Sequence, residues 1–150
     1  MKTIFNQEDN KELLERISNL KQDSEREWGK MNVSQMLVHC QKPLEVANEQ
    51  LIIKRNIFSY LFGAMMKKKL IDNGEDFKQN LPTSKQFKIE SDFDFKKEQE
   101  MLSKMVQGLG QKGESAIKTQ THPFFGKMAP NEWGILFYKH LDHHLQQFGV

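Results

Sequence analysis

The chain has 150 residues, 37% hydrophobic and 28% charged, which is enough for one domain with a buried core and too few for two ordinary ones. Its 22 basic and 20 acidic side chains leave a net charge of +2, which gives no electrostatic case for a nucleic-acid or anionic-membrane partner. The single cysteine, Cys40, excludes an internal disulfide and a cysteine-rich zinc site, and fits a reducing compartment.

The N-terminus, Met1 to Asp9, turns polar too early for the apolar core of a signal peptide. The longest uncharged apolar-rich stretch, Asn56 to Met66, falls well short of a membrane span. A soluble, cytoplasmic protein is expected.

Helical periodicity starts near Gln7 and runs to about Lys21, with Leu13, Leu14, Ile17 and Leu20 on one side. A polar link ends in Trp28-Gly29-Lys30-Met31. Asn32 is a good N-cap, and Gln35 stands at the capping-box position three residues later. The second helix then extends to about Leu51, with an apolar stripe through Val33, Met36, Leu37, Cys40, Leu44, Ala47 and Leu51.

Ile57 to Leu70 reads as a short helix that is apolar on most sides, suited to cover the bundle or meet a partner. The run Lys67-Lys68-Lys69 reads as a solvated helix end. Asp72 to Ser91, with Gly74 and Pro82, is expected to be a connection with a short extended piece at Phe87-Lys88-Ile89. The third main helix is expected from about Phe93 to Leu109, stopped by Gly108, Gly110 and Gly113. A loop through Thr121-His122-Pro123-Phe124-Phe125-Gly126 leads to a last helix from Pro130, a favoured first residue, to about Phe148. The expected fold is all-α: a four-helix bundle, residues 1–150 in one domain, with a long crossover between the second and third main helices. The alternative is an irregular all-α fold with the same helices.

The last helix carries the chemical information. At 100° per residue, Trp133, Leu136, Phe137, Leu141 and Phe148 share a face, and His140 and His144 point into its middle. His143 projects to the edge of the stripe, while Tyr138, Lys139, Asp142, Leu145 and Gln146 take the far side. An imidazole nitrogen left unpaired in a core costs about 1–3 kcal/mol. One shared metal ion satisfies two such nitrogens at once, although carboxylate or water partners can do the same. His39, at the flank of the second helix's stripe, is the other histidine on a predicted helix. Pro43, four residues on, removes the hydrogen bond to the His39 carbonyl and is expected to kink the helix. By phase alone His39 is a boundary residue.

Four stretches then carry a resemblance: Trp28 to Cys40, His122-Pro123-Phe124-Phe125-Gly126-Lys127-Met128, Glu132-Trp133-Gly134, and Lys139-His140-Leu141-Asp142-His143-His144-Leu145-Gln146-Gln147-Phe148. Together they resemble the DinB/YfiT-like superfamily, and within it a small bacterial branch of uncharacterised proteins. The resemblance implies an up-down-down-up four-helix bundle, usually a homodimer. It implies one divalent metal held by a histidine of the second helix and two of the last, which fall on His39, His140 and His144. Gln147 matches a frequent Gln after the His pair and is expected behind a ligand. Members of known activity are thiol-dependent transferases or isomerases, so the resemblance points to a small-molecule substrate or thiol. Two departures stand out. Ala129 occupies the N-cap where a Thr is common, weakening the cap by about 1 kcal/mol, and Leu145-Gln146 replace the usual Arg-Gly.

Three imidazoles suit Zn or Ni best and Fe, Co or Mn next, rather than Mg or Ca. Such a set leaves coordination positions open, as catalytic sites do. His122 is expected in a structural or rim role, some way from the metal. No catalytic base is identifiable. The two functions in view are a metal-dependent transferase or hydrolase and a non-catalytic metal- or ligand-binding dimeric bundle.

Overall fold

The structure is a computed structural model that describes residues 1–81 and 85–150; Pro82, expected in the long connection, lies outside them. Five α-helices are present among the described residues: α1 (Gln7–Asn19), α2 (Val33–Ala47), α3 (Ile57–Lys67), α4 (Phe95–Lys112) and α5 (Pro130–Gln147).

Each long helix starts where local chemistry satisfies its free amides. Asn6 caps α1 by accepting from the Glu8 and Asp9 amides, and Asp94 caps α4 by accepting from Lys97. Asn32 and Gln35 form the reciprocal capping box foreseen for α2. At α5 the Ala129 side chain offers nothing, but the Ala129 amide donates to Glu132 Oε2 at 2.7 Å, so half of the box survives. The single-helix boundaries shift by a few residues. α2 ends at Ala47, four residues early, where Glu49 turns to a φ of 59°. α2 passes through Pro43 without interruption.

α4 starts at Phe95 and continues past Gly108 and Gly110, stopping at Gly113, whose φ is +59°. Gly110 is therefore not a stop. A Cβ there would lie 2.6 Å from Asn10 Cγ, so this glycine lets α1 approach α4 closely. The Asn10 amide uses that approach to donate to Val106 O at 2.8 Å and to Ile4 O at 2.9 Å.

Cross-helix hydrogen bonds set the directions. Asn10 near the start of α1 meets the end of α4, and Gln99 near the start of α4 meets Ile17 O and Leu20 O at the end of α1. These two helices are antiparallel. Gln35 reaches Ser91 ahead of α4 while Ala47 O accepts from Lys118 beyond it, so α2 and α4 run in parallel. Tyr138 bonds Glu12 and Arg16 bonds Asp142, so α1 and α5 are parallel too. The result is an all-α, up-down-down-up four-helix bundle in which α2 packs on α4 and α5, and α1 packs on the same two. Parallel α2 and α4 demand the long crossover, which carries α3 and a π-helical turn at Lys68–Asp72.

Three expectations need correction. Phe87-Lys88-Ile89 does not form an extended piece: Lys85–Phe87 is a 3₁₀ turn closed by Lys88 N to Lys85 O at 3.2 Å. The loop before α5 folds into a two-stranded hairpin, β1 (Thr121–His122) with β2 (Gly126–Lys127). The supposed far side of α5 is also covered: Tyr138, Lys139 and Leu145 are buried. The N-terminal segment, pinned by Ile4 N to Gly134 O at 3.1 Å, and the crossover pack there. The centre of the core is made of Leu13, Ile17, Met36, Leu37, Leu102, Val106, Trp133, Phe137 and Leu141, all essentially inaccessible.

Candidate metal centre

α2 and α5 meet in the middle of the bundle, and there His39, His140 and His144 come together. One ring nitrogen of each lies within 4.8 Å of the others. His39 Nε2 and His140 Nε2 are 3.2 Å apart. The His144 ring centroid is 4.7 Å from each of the other two. His39 and His144 are buried, and His140 is partly exposed as a residue. His39, marginal by helical phase, is thus fully inside.

The outward nitrogens of two of the rings are tied. His39 Nδ1 stands 2.8 Å from Phe87 O. A carbonyl only accepts, so Nδ1 carries the proton and Nε2 presents a lone pair. His144 Nδ1 stands 2.8 Å from Gln147 Oε1, and Gln147 Nε2 donates to Trp28 O at 2.7 Å. The Trp28 carbonyl fixes which end of the amide is the NH₂, and that fixes the His144 tautomer. Gly29, with a φ of +82°, makes this possible: a Cβ there would sit 2.4 Å from Gln147 Nε2. The Trp-Gly pair ahead of α2 thus serves the centre from the far end of α5.

The electrostatics favour neutral rings. Burial holds His39 below the ordinary histidine range. Burial, then the repulsion a protonated ring would meet from protonated His144 and His39, hold His140 well below it. His144 is pushed down to about 3 by burial and by His39, against the opposing bond from Gln147. Three neutral imidazoles, each with one ring nitrogen close to those of the other two, are a set that can hold one divalent ion. All-nitrogen donors fit a borderline transition ion rather than Mg or Ca.

Aromatic rings and an anchored segment surround the cluster. Phe87 meets the His39 ring edge-on at 6.4 Å, and Phe77 meets His140 edge-on at 5.9 Å. His143 is not the solvated edge residue its phase suggests. It is half-buried between Trp28 at 5.7 Å and Phe77 at 5.9 Å, outside the converging set. Lys139 holds the covering segment in place: its Nζ donates to Gly74 O at 2.8 Å, Glu75 O at 2.9 Å and Asp76 Oδ1 at 3.0 Å. Helical phase puts Lys139 on the side of α5 away from its apolar face, and Phe77 and Phe87 carry no signal in the sequence beyond being aromatic in a polar stretch.

Two other residues fall where expected. Cys40 is buried with its Sγ 3.6 Å from Met36 Sδ, and burial raises its thiol pKa, so it stays in the core. His122 is structural. Its Nδ1 accepts from the Phe124 and Phe125 amides at 3.0 and 3.1 Å and closes the hairpin turn. Its ring packs against Trp133 at 4.9 Å.

A family described as "Protein of unknown function (DUF1569)" matches residues 2–149, nearly the whole chain. The protein belongs to that family. No curated protein and no solved structure matches it.

Proposed function

We propose that this protein is a metal-dependent enzyme acting on a small molecule, with His39, His140 and His144 as ligands to Zn or Ni and a low-molecular-weight thiol as substrate or co-substrate. The reading places the family beside the DinB/YfiT-like superfamily, which the resemblance of the four sequence stretches supports. The observation that carries it is the pair of tethered rings: Phe87 O and Gln147 hold Nδ1 of His39 and His144, so that their Nε2 atoms face His140. Such tethering of the outer nitrogen is how metal-ligating histidines are oriented.

A bound divalent ion supplies Lewis acidity, which brings the proton of a thiol or water into the neutral range. The chain's own residues do the rest. The neutral imidazoles offer lone pairs without first losing protons. Phe77 and Phe87 keep the cluster apolar around its rim. His140, partly exposed as a residue, marks the side by which a small molecule enters.

A second reading, a bundle that binds metal or ligand without catalysis, is favoured by one observation. The polar partners of the cluster are a backbone carbonyl and a primary amide, and neither takes up a proton near neutral pH.

Metal analysis of protein purified without chelator, wild type beside His144→Ala, tests the site. About one ion per chain is expected in the wild type and a large loss in the variant. If neither carries a transition metal and added Zn or Ni leaves the melting temperature unchanged, the reading fails. Cobalt-substituted protein then separates the two readings. A thiolate-to-metal charge-transfer band on adding a small thiol supports the enzyme, and an unchanged spectrum supports the binding bundle.

A further inference from the structure

Helix α3 turns its large side chains away from the protein. Ile57, Phe58, Tyr60, Leu61 and Met65 are between 49% and 68% exposed, and Phe62 is 44% exposed. The orientation is built in rather than incidental. The buried side of the helix is made of small residues, Ser59 and Gly63. A Cβ on Gly63 would fall 2.0 Å from Phe124 O, so the helix lies directly on the hairpin. The Asn56–Ser59 capping box fixes its start, and Lys67, paired to Glu132 at 2.8 Å, fixes its end. Arg55 stacks on Tyr60 at 4.2 Å and donates to Ser59 O at 3.0 Å. With these ties in place the apolar face cannot roll inward.

Within the segment that carries that face, the charge is of one sign. From Leu51 to Ile71 the chain has five basic residues and no acidic one, while the whole chain is only +2, so everything outside the segment is net −3. The near-neutral total conceals a segregation. Lys54 is exposed ahead of the helix, and Lys68 and Lys69 are exposed directly after it. We propose that α3 is a docking helix for an anionic lipid surface, lying in the interface with its six large side chains among the acyl chains and the lysines at the headgroups. An 11-residue helix is about 16 Å long by its rise, enough to lie in an interface and too short to cross one. No helix among the described residues is long and apolar enough to span a membrane.

A second copy of the chain is the competing occupant, and charge argues against it. A two-fold contact presents the same patch from both sides. Lys54, Lys68 and Lys69 would then face a segment with no carboxylate of its own, and Glu132 beside it is already paired to Lys67. Anionic headgroups supply that complement, at about one fivefold gain in binding per basic residue near the surface.

Vesicle flotation tests the proposal with the full chain. Wild type is expected to float with phosphatidylcholine–phosphatidylglycerol vesicles and not with phosphatidylcholine alone, and to be released by high salt. Leu61→Glu is expected to abolish flotation, with an unchanged thermal melt because the side chain is 67% exposed. Replacing Lys68 and Lys69 together by Gln is expected to weaken binding about thirty-fold. Equal flotation with both vesicle types overturns the proposal, as does flotation that survives Leu61→Glu. A wild type that floats with neither but sediments as a dimer, dissociated by Leu61→Glu, assigns the face to a second copy instead. None of these readouts depends on metal, so they stand or fall apart from the histidine centre.

Discussion

Gln147 holds His144 from behind: its Oε1 lies 2.8 Å from His144 Nδ1, and its Nε2 donates to Trp28 O at 2.7 Å. The amide thus transmits the position of the loop before α2 to a ring on α5. Replacing it with a residue of similar size and no hydrogen bonds removes the orientation while leaving all three histidines in place. Gln147→Leu is expected to weaken metal binding 10- to 100-fold, the usual effect of losing such a partner, read as roughly that shift in competition with a chromophoric chelator. Unchanged affinity would show that packing alone orients the ring.

The histidines on α5 should separate cleanly. His144→Ala removes one of the three proposed ligands, and metal content should fall below about a tenth of the wild type at equal free metal. His143→Ala removes a half-buried ring that packs at a tilt beside Trp28 and Phe77 and lies outside the converging set. Its metal content should stay near that of the wild type. Equal losses in the two variants would place His143 in the centre.

Much of this centre was legible from helical phase and some of it was not. His140 and His144 lie one turn apart on an apolar face, and a period of 3.6 reports that directly. His39 sat at the margin of its stripe because phase describes one helix at a time. It is buried because the crossover lays Phe87 over it, and no periodicity in α2 encodes that. Lys139 was misplaced for the same reason: its face of α5 is polar in sequence, but Gly74, Glu75 and Asp76 fold onto it. Glycines misled in one place. Gly110 looked like a helix stop, whereas its missing Cβ serves the contact with Asn10. Local signals found the elements; contacts made by the long connection decided which side chains surround the site.

Acid should destabilise the protein through His122. Its Nδ1 accepts two amide hydrogens, and burial with the nearby Arg55 charge pushes its pKa down to about 3. A histidine depressed in the fold contributes its full stability above the unfolded value near 6.5 and loses it as the pH falls below that. The loss is about 1.4 kcal/mol per pH unit, or about 2 kcal/mol by pH 5, and it ends near pH 3. His122→Asn keeps a side-chain acceptor that does not titrate. Urea unfolding of metal-free wild type and H122N across pH 7.5 to 4.5 is expected to show a stability gap that shifts in favour of the variant by about that slope. A gap that stays constant with pH would assign the acid sensitivity elsewhere.

Lys139 joins α5 to the segment that covers the histidines. Its ion pair with Asp76 contributes little, because that carboxylate is 88% exposed. The bonds to Gly74 O and Glu75 O matter more, since they fix the backbone just ahead of Phe77, whose ring lies 5.9 Å from His140. Lys139→Met keeps the buried stem and deletes the donor. Two lost bonds of about 1 kcal/mol each should raise the opening of this segment at least tenfold. Amide hydrogen exchange over residues 73–78 is expected to quicken by that factor, and bound metal to pass to excess chelator correspondingly faster. Metal stoichiometry should not change, because all three histidines and both of their tethers remain. If exchange quickens while the rate of metal transfer stays that of the wild type, the segment covers the centre without controlling access to it, and the route runs past another edge of His140.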